Sequence, residues 1–176
     1  MELNKNTVFK ISVSGVLLAI GMVLPFLTGQ IPEIGKMLCP MHIPVLICGF
    51  LCGWKYGLLI GFTLPLLRSL IFSVPVFFPN AWGMAFEMGT YGFLAGLFSN
   101  KINNIYKLYL FLIFSMLGGR LIWGLIMSIF MNINNSSFTF KAFLGGAFIN
   151  AWPGIILQLI VVPILTYTIN KIKFKK

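Results

Sequence analysis

Three ionisable residues, Arg68, Glu87 and Arg120, lie within long apolar stretches of this sequence. A charged side chain inside a membrane is costly unless it faces a partner, a cavity or a ligand. With a helical rise of about 1.5 Å per residue, the three residues lie at similar depths on three separate helices. We therefore expect their side chains to meet in the interior of a helical bundle.

Two arrangements of these charges are open. In the first, the two arginines and the carboxylate form a sealed ion cluster that only holds the helices together. In the second, they line an outward-facing polar cavity in which one positive charge has no protein partner. An arginine fork suits a carboxylate or a phosphate. The second arrangement therefore favours an anionic ligand, whereas a neutral ring system stays open if Glu87 is protonated.

Residues near these charges are further candidates for ligand contacts. Helical spacing places Asn80 and Tyr91 on the same face as Glu87, and Trp123 on the face of Arg120. The complete set of predicted substrate-binding residues is Arg68, Glu87, Arg120, Asn80, Trp82, Tyr91, Trp123, Asn150, Trp152 and His42.

Two similar stretches begin helices on the same side of the predicted bundle. They are NAWG at residues 80–83 and NAWPG at residues 150–154. We interpret both as an asparagine that caps a helix and a tryptophan at the membrane surface. Trp82 and Trp152 would also be able to stack on a ring of a ligand. The match is too short to predict an internal repeat.

Catalytic and metal-dependent chemistry is poorly supported. The chain has only three acidic residues, without paired carboxylates or a Ser-His-Asp set, which argues against an enzyme. Cys39 and His42 stand three residues apart, but Cys48 and Cys52 lie in an apolar stretch where cysteine acts as a small hydrophobe. We predict no metal, no cofactor and no structural disulfide. His42 stays a candidate for either a ligand contact or a helix cap.

The composition is that of an integral membrane protein. Of the 176 residues, 59% are hydrophobic and 9% charged, and the mean hydropathy is +0.96. We predict one transmembrane domain over residues 1–176. The first apolar stretch has no cleavage site typical of a signal peptide, so we expect it to stay in the protein. The net charge of +10 follows the ends of apolar stretches, which favours a role in topology over nucleic-acid binding.

The predicted fold is an all-α bundle of six transmembrane helices. Nine of the eleven lysines fall on one side of this bundle, and only Lys36 and Lys141 on the other. Both termini are therefore predicted to be cytoplasmic, and the terminal lysines to anchor to anionic lipid. Long loops at residues 28–40 and 132–145 would cover the outward-facing site. The predicted helices cover residues 8–27, 41–53, 56–73, 80–98, 106–131 and 146–169.

Two stretches of the sequence resemble the substrate-binding S component of energy-coupling factor (ECF) transporters, which import vitamins into bacteria. They are GVLLAIGMVLPFLTGQIPEIGKMLCPMHIPVLICGFLCGWKYGLLIGFTLPLLRSLIF and AFEMGTYGFLAGL. The resemblance extends over nearly the whole chain, as a small six-helix protein with both termini inside and a long first outer loop. It implies that this chain captures a vitamin or a related micronutrient at the outer face of the bacterial cell membrane.

The resemblance also implies protein partners. An S component docks on a membrane T component that carries two cytoplasmic ATPases. The sequence has no Gly-rich nucleotide-binding loop ending in Lys-Ser/Thr, so ATP hydrolysis would belong to those partners. In that family a small-xxx-small pattern on the first helix forms part of the docking face, and Gly15 and Ala19 match it. Packing within the bundle is the alternative role of these two residues.

Two other functions stay open from the sequence. A stand-alone facilitator or channel for a small solute would need no ATPase partner. A membrane-bound enzyme would keep its reaction after loss of Glu87 and both arginines.

Overall fold

The computed structural model describes residues 5–28, 37–133 and 139–174, with residues 27, 28 and 170–174 described by their backbone alone. The predicted loops 28–40 and 132–145 lie partly outside the described residues, as do Lys36 and the end of the lysine-rich tail. Every regular element in the described ranges is helical. The helices are α1 (Lys5–Val23), α2 (His42–Cys52), α3 (Trp54–Phe72), α4 (Trp82–Phe98), α5 (Ile105–Ile133), α6 (Phe140–Leu144) and α7 (Trp152–Phe174).

Several of these helices are suited to a membrane, as the composition predicted. α2 with 11 residues and α4 with 17 are shorter than the roughly 20 residues that cross a bilayer, so the count of six spans stays a prediction. Within the described ranges, four stretches are long and apolar enough to cross a membrane: Lys5–Phe26, Trp54–Phe72, Ile105–Ile133 and Trp152–Ile169.

The short helix α2 is the core of the bundle. All of its 11 residues are buried, and it packs against α1, α3, α4 and α7. A helix that is apolar on every side is stable only where other helices or lipid surround it. The longer helices therefore stand around α2.

Glycines let α3 and α4 touch through their backbones. A Cβ added to Gly57 would meet the carbonyl oxygen of Gly92, and one added to Gly61 would meet that of Met88. Glycine at such positions permits close approach of helices in membranes. This contact, which we call the glycine seam, holds α3 with its Arg68 directly against α4.

The last helix begins later than the predicted helix over residues 146–169. α7 starts at Trp152. Before it, α6 lies in the predicted loop over residues 132–145, and a wide π turn (Gly145–Ile149) takes up the first residues of the predicted helix. α6 forms because the hydroxyl of Thr139 caps it, accepting a hydrogen bond from the amide of Ala142 at 3.3 Å. The prediction was wrong here because hydrophobicity continues through the turn without a break.

Asn80 does not cap α4 as predicted. It lies inside a π turn (Phe77–Ala81) just before that helix, and no side chain caps the helix start. The amide of Ala81 instead donates to the carbonyl of Val76 at 2.9 Å, so backbone groups of the turn lead directly into the helix. Asn150 directly follows the second π turn (Gly145–Ile149). Asn80 therefore lies within a wide turn, and Asn150 lies at the end of one.

Candidate functional site

A cavity of about 680 Å³ opens at the end of the bundle where α2 begins. Its walls come from α3, α4, α5 and α6, from the start of α2, and from the turns that follow α1 and α3 and precede α7. We call this end the arginine end, because Arg68 and Arg120 both line the cavity. Seven of the ten predicted site residues line it, and they are His42, Arg68, Asn80, Glu87, Arg120, Trp123 and Asn150.

Two side chains hold the carboxylate of Glu87. Tyr91, one turn further along α4, donates its hydroxyl to Glu87 Oε1 at 3.0 Å. His42 Nε2 lies 3.6 Å from the same oxygen, and the rings of His42 and Tyr91 are 5.3 Å apart. Tyr91 is fully buried and does not line the cavity. Tyr91 therefore holds Glu87 from the side away from the cavity and does not face a ligand.

His42 also contacts the backbone just before α2. Nδ1 is 3.2 Å from the carbonyl oxygen of Cys39, and because that oxygen only accepts, the ring donates to it through an N–H. Nε2 lies 3.6 Å from Glu87 Oε1 and has no hydrogen-bond partner among the described residues. His42 therefore links the residues before α2 to the carboxylate on α4.

Arg120 lies near the Cys39 thiol and has a buried edge without a hydrogen-bond partner in the described part of the chain. The residue is 4% exposed, its Nη1 donates to the carbonyl of Ala147, and its guanidinium lies 5.9 Å from the ring of Phe148. Among the described residues, Nε and Nη2 have no hydrogen-bond partner. These two groups form one edge of the guanidinium, which two oxygens of a single anion match. Since an unpaired buried donor is costly, this edge is typical of a ligand site.

Arg68 is held differently, against the end of the first helix. It is 1% exposed, and its guanidinium carbon lies 5.2 Å from the ring of Phe26 and 5.2 Å from that of Phe72. Such cation–π contacts stabilise a desolvated arginine. Nη1 donates to the carbonyl of Met22 at 2.5 Å, whereas Nη2 finds no acceptor in the described ranges. Arg68 thus joins α3 to α1 and still has one unpaired donor.

Neither arginine forms an ion pair with Glu87. In the described part of the chain, the contact with His42 is the one ion pair of that carboxylate within 4 Å. The sealed cluster considered from the sequence does not form, because Arg68 turns toward α1 and Glu87 toward α2. Arg68 and Arg120 therefore bring two positive charges to the cavity, and neither is paired with a carboxylate of the described residues.

Trp82 and Trp152 lie outside the cavity. Trp82 packs edge-on against Phe62 at a centroid distance of 6.2 Å, and Trp152 is 57% exposed. Both places suit tryptophan at a membrane surface. Their neighbours Asn80 and Asn150 do line the cavity, so the two similar stretches present amide groups rather than indole rings to it.

The region of α6 contributes to the cavity in a way that the sequence did not indicate. Ala142, Gly145 and Gly146 line it, and the ring of Phe143 stacks against Trp123 at a centroid distance of 6.3 Å. Small apolar residues in a sequence predict neither a polar binding site nor a helix as short as α6. The one available signal was the mixture of phenylalanine and glycine in FTFKAFLGGAF.

Gly15 and Ala19 lie on an exposed face of α1. Nothing lies within 4 Å of a Cβ added to Gly15. Packing within the bundle, the alternative role of these residues, is therefore not seen in the described chain. An open helix face of small residues allows another helix to approach closely.

Cys39 lines the cavity beside His42, and this pair was the one considered for metal. Burial raises the pKa of the Cys39 thiol to about 11, so the thiol stays protonated near neutral pH, whereas metals bind the thiolate. No group of three His, Cys, Asp or Glu side chains that could share a metal occurs among the described residues. Besides His42 Nε2, the buried cavity-lining groups without a hydrogen-bond partner among the described residues are guanidinium N–H donors, which bind anions.

A family model matches most of this chain. The model of the ECF transporter substrate-specific component covers residues 9–166, a range that includes every cavity residue named above. Comparisons with curated proteins and with solved structures gave no significant match. The resemblance predicted from the sequence is confirmed by the family model. The chain belongs to the ECF transporter substrate-specific component family and is a subunit of a membrane transporter, not an enzyme.

Proposed function

We propose that this chain captures a small anionic micronutrient in the cavity at the arginine end and hands it to an ATP-driven importer. The observation that carries the proposal is the pair of buried arginines. Arg68 Nη2 and Arg120 Nε and Nη2 have no partner among the described residues, and both side chains line one cavity. A carboxylate or phosphate would supply the missing acceptors.

The cavity suits a molecule of the size of a vitamin or a vitamin precursor. Its volume of about 680 Å³ lies within the usual range for small-molecule sites, about 300–1,000 Å³. The anionic group would bind Arg68 and Arg120, while the amides of Asn80 and Asn150 both donate to and accept from neutral polar groups. Trp123 offers the face of a ring to a flat part of the ligand.

The lysine distribution supports an outward-facing arginine end. Five lysines lie at the opposite end of the bundle, where positive charge is typical of the cytoplasmic side. We propose six spans in a single domain, with α2 and α4 completing the bundle of four longer helices, and both termini in the cytoplasm of a bacterial cell. The five residues are Lys5, Lys10, Lys55, Lys101 and Lys107.

Family membership supports docking on a T component that carries two cytoplasmic ATPases. The open face of α1 at Gly15 and Ala19 supports a helix-to-helix contact with that component. This face is remote from the residues that line the cavity. Docking and cargo binding should therefore be separable by mutation.

Binding to the purified full chain tests the cargo proposal. We expect calorimetry against a panel of anionic and neutral vitamins and precursors to find a micromolar or tighter ligand among the anionic members. Folded protein that binds only a neutral member would contradict the anionic assignment, and folded protein that binds no member would contradict cargo capture.

Co-purification tests the importer proposal against a stand-alone facilitator. The wild-type chain should bring down a T component and two ATPases. Gly15→Leu should lose these partners and keep cargo binding, while Val16→Leu, a change at an exposed neighbour, should lose neither. Cargo flux into vesicles that contain this chain alone would instead support the facilitator.

A further inference from the structure

A second cavity lies at the other end of the bundle, which we call the lysine end because Lys10 and Lys55 line it. Its volume is about 660 Å³. The two lysines come from two different helices, α1 and α3, and Asn100 and Asn103 add amide groups. None of the described residues that line this cavity is acidic. The two lysines therefore give this cavity a positive charge that no acidic lining residue of the described chain balances.

Backbone donors lie in the same place. The first backbone hydrogen bond into α3 runs from the amide of Gly57 to the carbonyl of Gly53 at 3.0 Å. The amides of Trp54, Lys55 and Tyr56 come before it and have no acceptor within the helix, and no side chain caps this helix start. All three residues line the cavity, so these donors add to the attraction of the lysines for an anion.

The rim of this cavity is apolar and exposed. Trp54 is 42% exposed, and the ammonium of Lys55 lies 5.6 Å from its ring. Exposed side chains continue the apolar surface along α3 at Leu58 and Leu59 and along α1 at Ile11. Tryptophan and lysine together at a helix end are typical of the membrane surface. A ligand that uses both features has an anionic head and an apolar tail.

We propose that the cavity at the lysine end binds the phosphate of an anionic phospholipid headgroup. The phosphate oxygens accept hydrogen bonds from Lys10, Lys55 and the free amides at the start of α3. The acyl chains lie along the exposed faces of α1 and α3. Free phosphate has the same acceptors but no apolar part, which is why the surrounding surface favours a lipid. This binding does not depend on the cargo at the arginine end.

Native mass spectrometry of the detergent-purified full chain tests the proposal. Phosphatidylglycerol and phosphatidylcholine with the same acyl chains are added separately, and inorganic phosphate is added as a competitor. The wild type should retain phosphatidylglycerol in preference to phosphatidylcholine. The double variant K10Q/K55Q should bind phosphatidylglycerol about tenfold to thirtyfold more weakly, and K10R/K55R should restore binding.

A matched control separates the cavity from general surface charge. K101Q/K107Q removes the same number of charges from the same end of the bundle, at exposed lysines that do not line the cavity. It should keep the affinity of the wild type. Equal loss in both double variants, equal retention of the two lipids, or release of phosphatidylglycerol by millimolar inorganic phosphate would each overturn the proposal. Gel filtration of each variant confirms that the protein is folded.

Discussion

Both ends of the bundle carry positive charge, but they hold it in opposite ways. At the arginine end, Arg68 and Arg120 are buried and fixed by carbonyl groups and aromatic rings. At the lysine end, Lys55 is exposed and Lys10 half-buried. A buried guanidinium is a planar fork that fits one geometry, whereas an ammonium on a flexible stem is a mobile point charge. The difference suits selection of one small anion at one end and attachment to an anionic surface at the other.

Arg120→Ala should have the largest effect and would separate the two ends most clearly. Removing a buried fork that pairs with a charge costs about 2–5 kcal/mol, so the affinity for an anionic cargo should fall by about thirtyfold or more. Calorimetry with the anionic ligand measures this loss. Lys55→Ala removes a charge of the same sign from the other end and should leave cargo affinity unchanged. Equal losses would mean that only the overall positive field of the protein matters.

Gly57→Ala tests how much the glycine seam, which joins α3 to α4 between the two ends, contributes to the stability of the bundle. The new methyl group would meet the carbonyl oxygen of Gly92 and, at 2.8 Å, the Cα of Gly49. Backbone atoms cannot rotate away, so we expect a loss of about 1–3 kcal/mol in the free energy of unfolding. Thermal unfolding in detergent measures it, with Gly15→Ala as the control because that methyl meets nothing. Identical melting temperatures for the two variants would show that the seam tolerates a side chain.

Glu87→Gln should have a smaller effect on cargo binding, and in the opposite direction. The amide keeps an acceptor for Tyr91 but removes the negative charge of Glu87 from the cavity, so affinity for an anionic cargo should hold or rise. Stability should fall by about 1 kcal/mol because the contact with His42 weakens. Calorimetry and thermal unfolding measure the two effects. A strong loss of affinity would instead make Glu87 a ligand contact and favour a neutral or cationic cargo.

Added salt should have the smallest effect of all on cargo affinity at the arginine end. It therefore distinguishes the buried charges of that end from the exposed charges of the lysine end. Exposed charges are screened over about 8–10 Å at physiological ionic strength, and buried ones much less. Raising the salt concentration should therefore weaken retention of phosphatidylglycerol while cargo affinity changes little. Titrations of both ligands at low and high salt measure this. Parallel losses would show that water and ions reach the two arginines freely.

That the three charges come together was predictable from the sequence, but the pairing of their side chains was not. Helical rise alone predicted that Arg68, Glu87 and Arg120 would lie in one layer, and all three line one cavity. Their partners depend on how each helix is rotated about its axis, which apolar stretches do not specify. His42 was predicted as a ligand contact or a cap, and its ion pair with Glu87 arises only because α2 packs against α4.

The predicted ends of the helices were likewise correct in one place and wrong in another. α2 was predicted over residues 41–53 and runs from His42 to Cys52, because Pro and Gly mark its ends. The start of α7 was missed because a wide turn keeps the apolar composition of a helix. Local composition therefore predicts an element well when breakers flank it, and poorly when backbone hydrogen bonds alone decide where it begins.

The glycine seam also restricts how cargo can enter and leave. At Gly57 and Gly61 no side chain lies between α3 and α4 that could repack, so we expect these two helices to resist sliding past each other. The part of the cavity wall that they form should then stay in place. A gate is therefore expected on the side of α6 and its glycine turn, where Gly145 and Gly146 line the cavity without taking part in that contact.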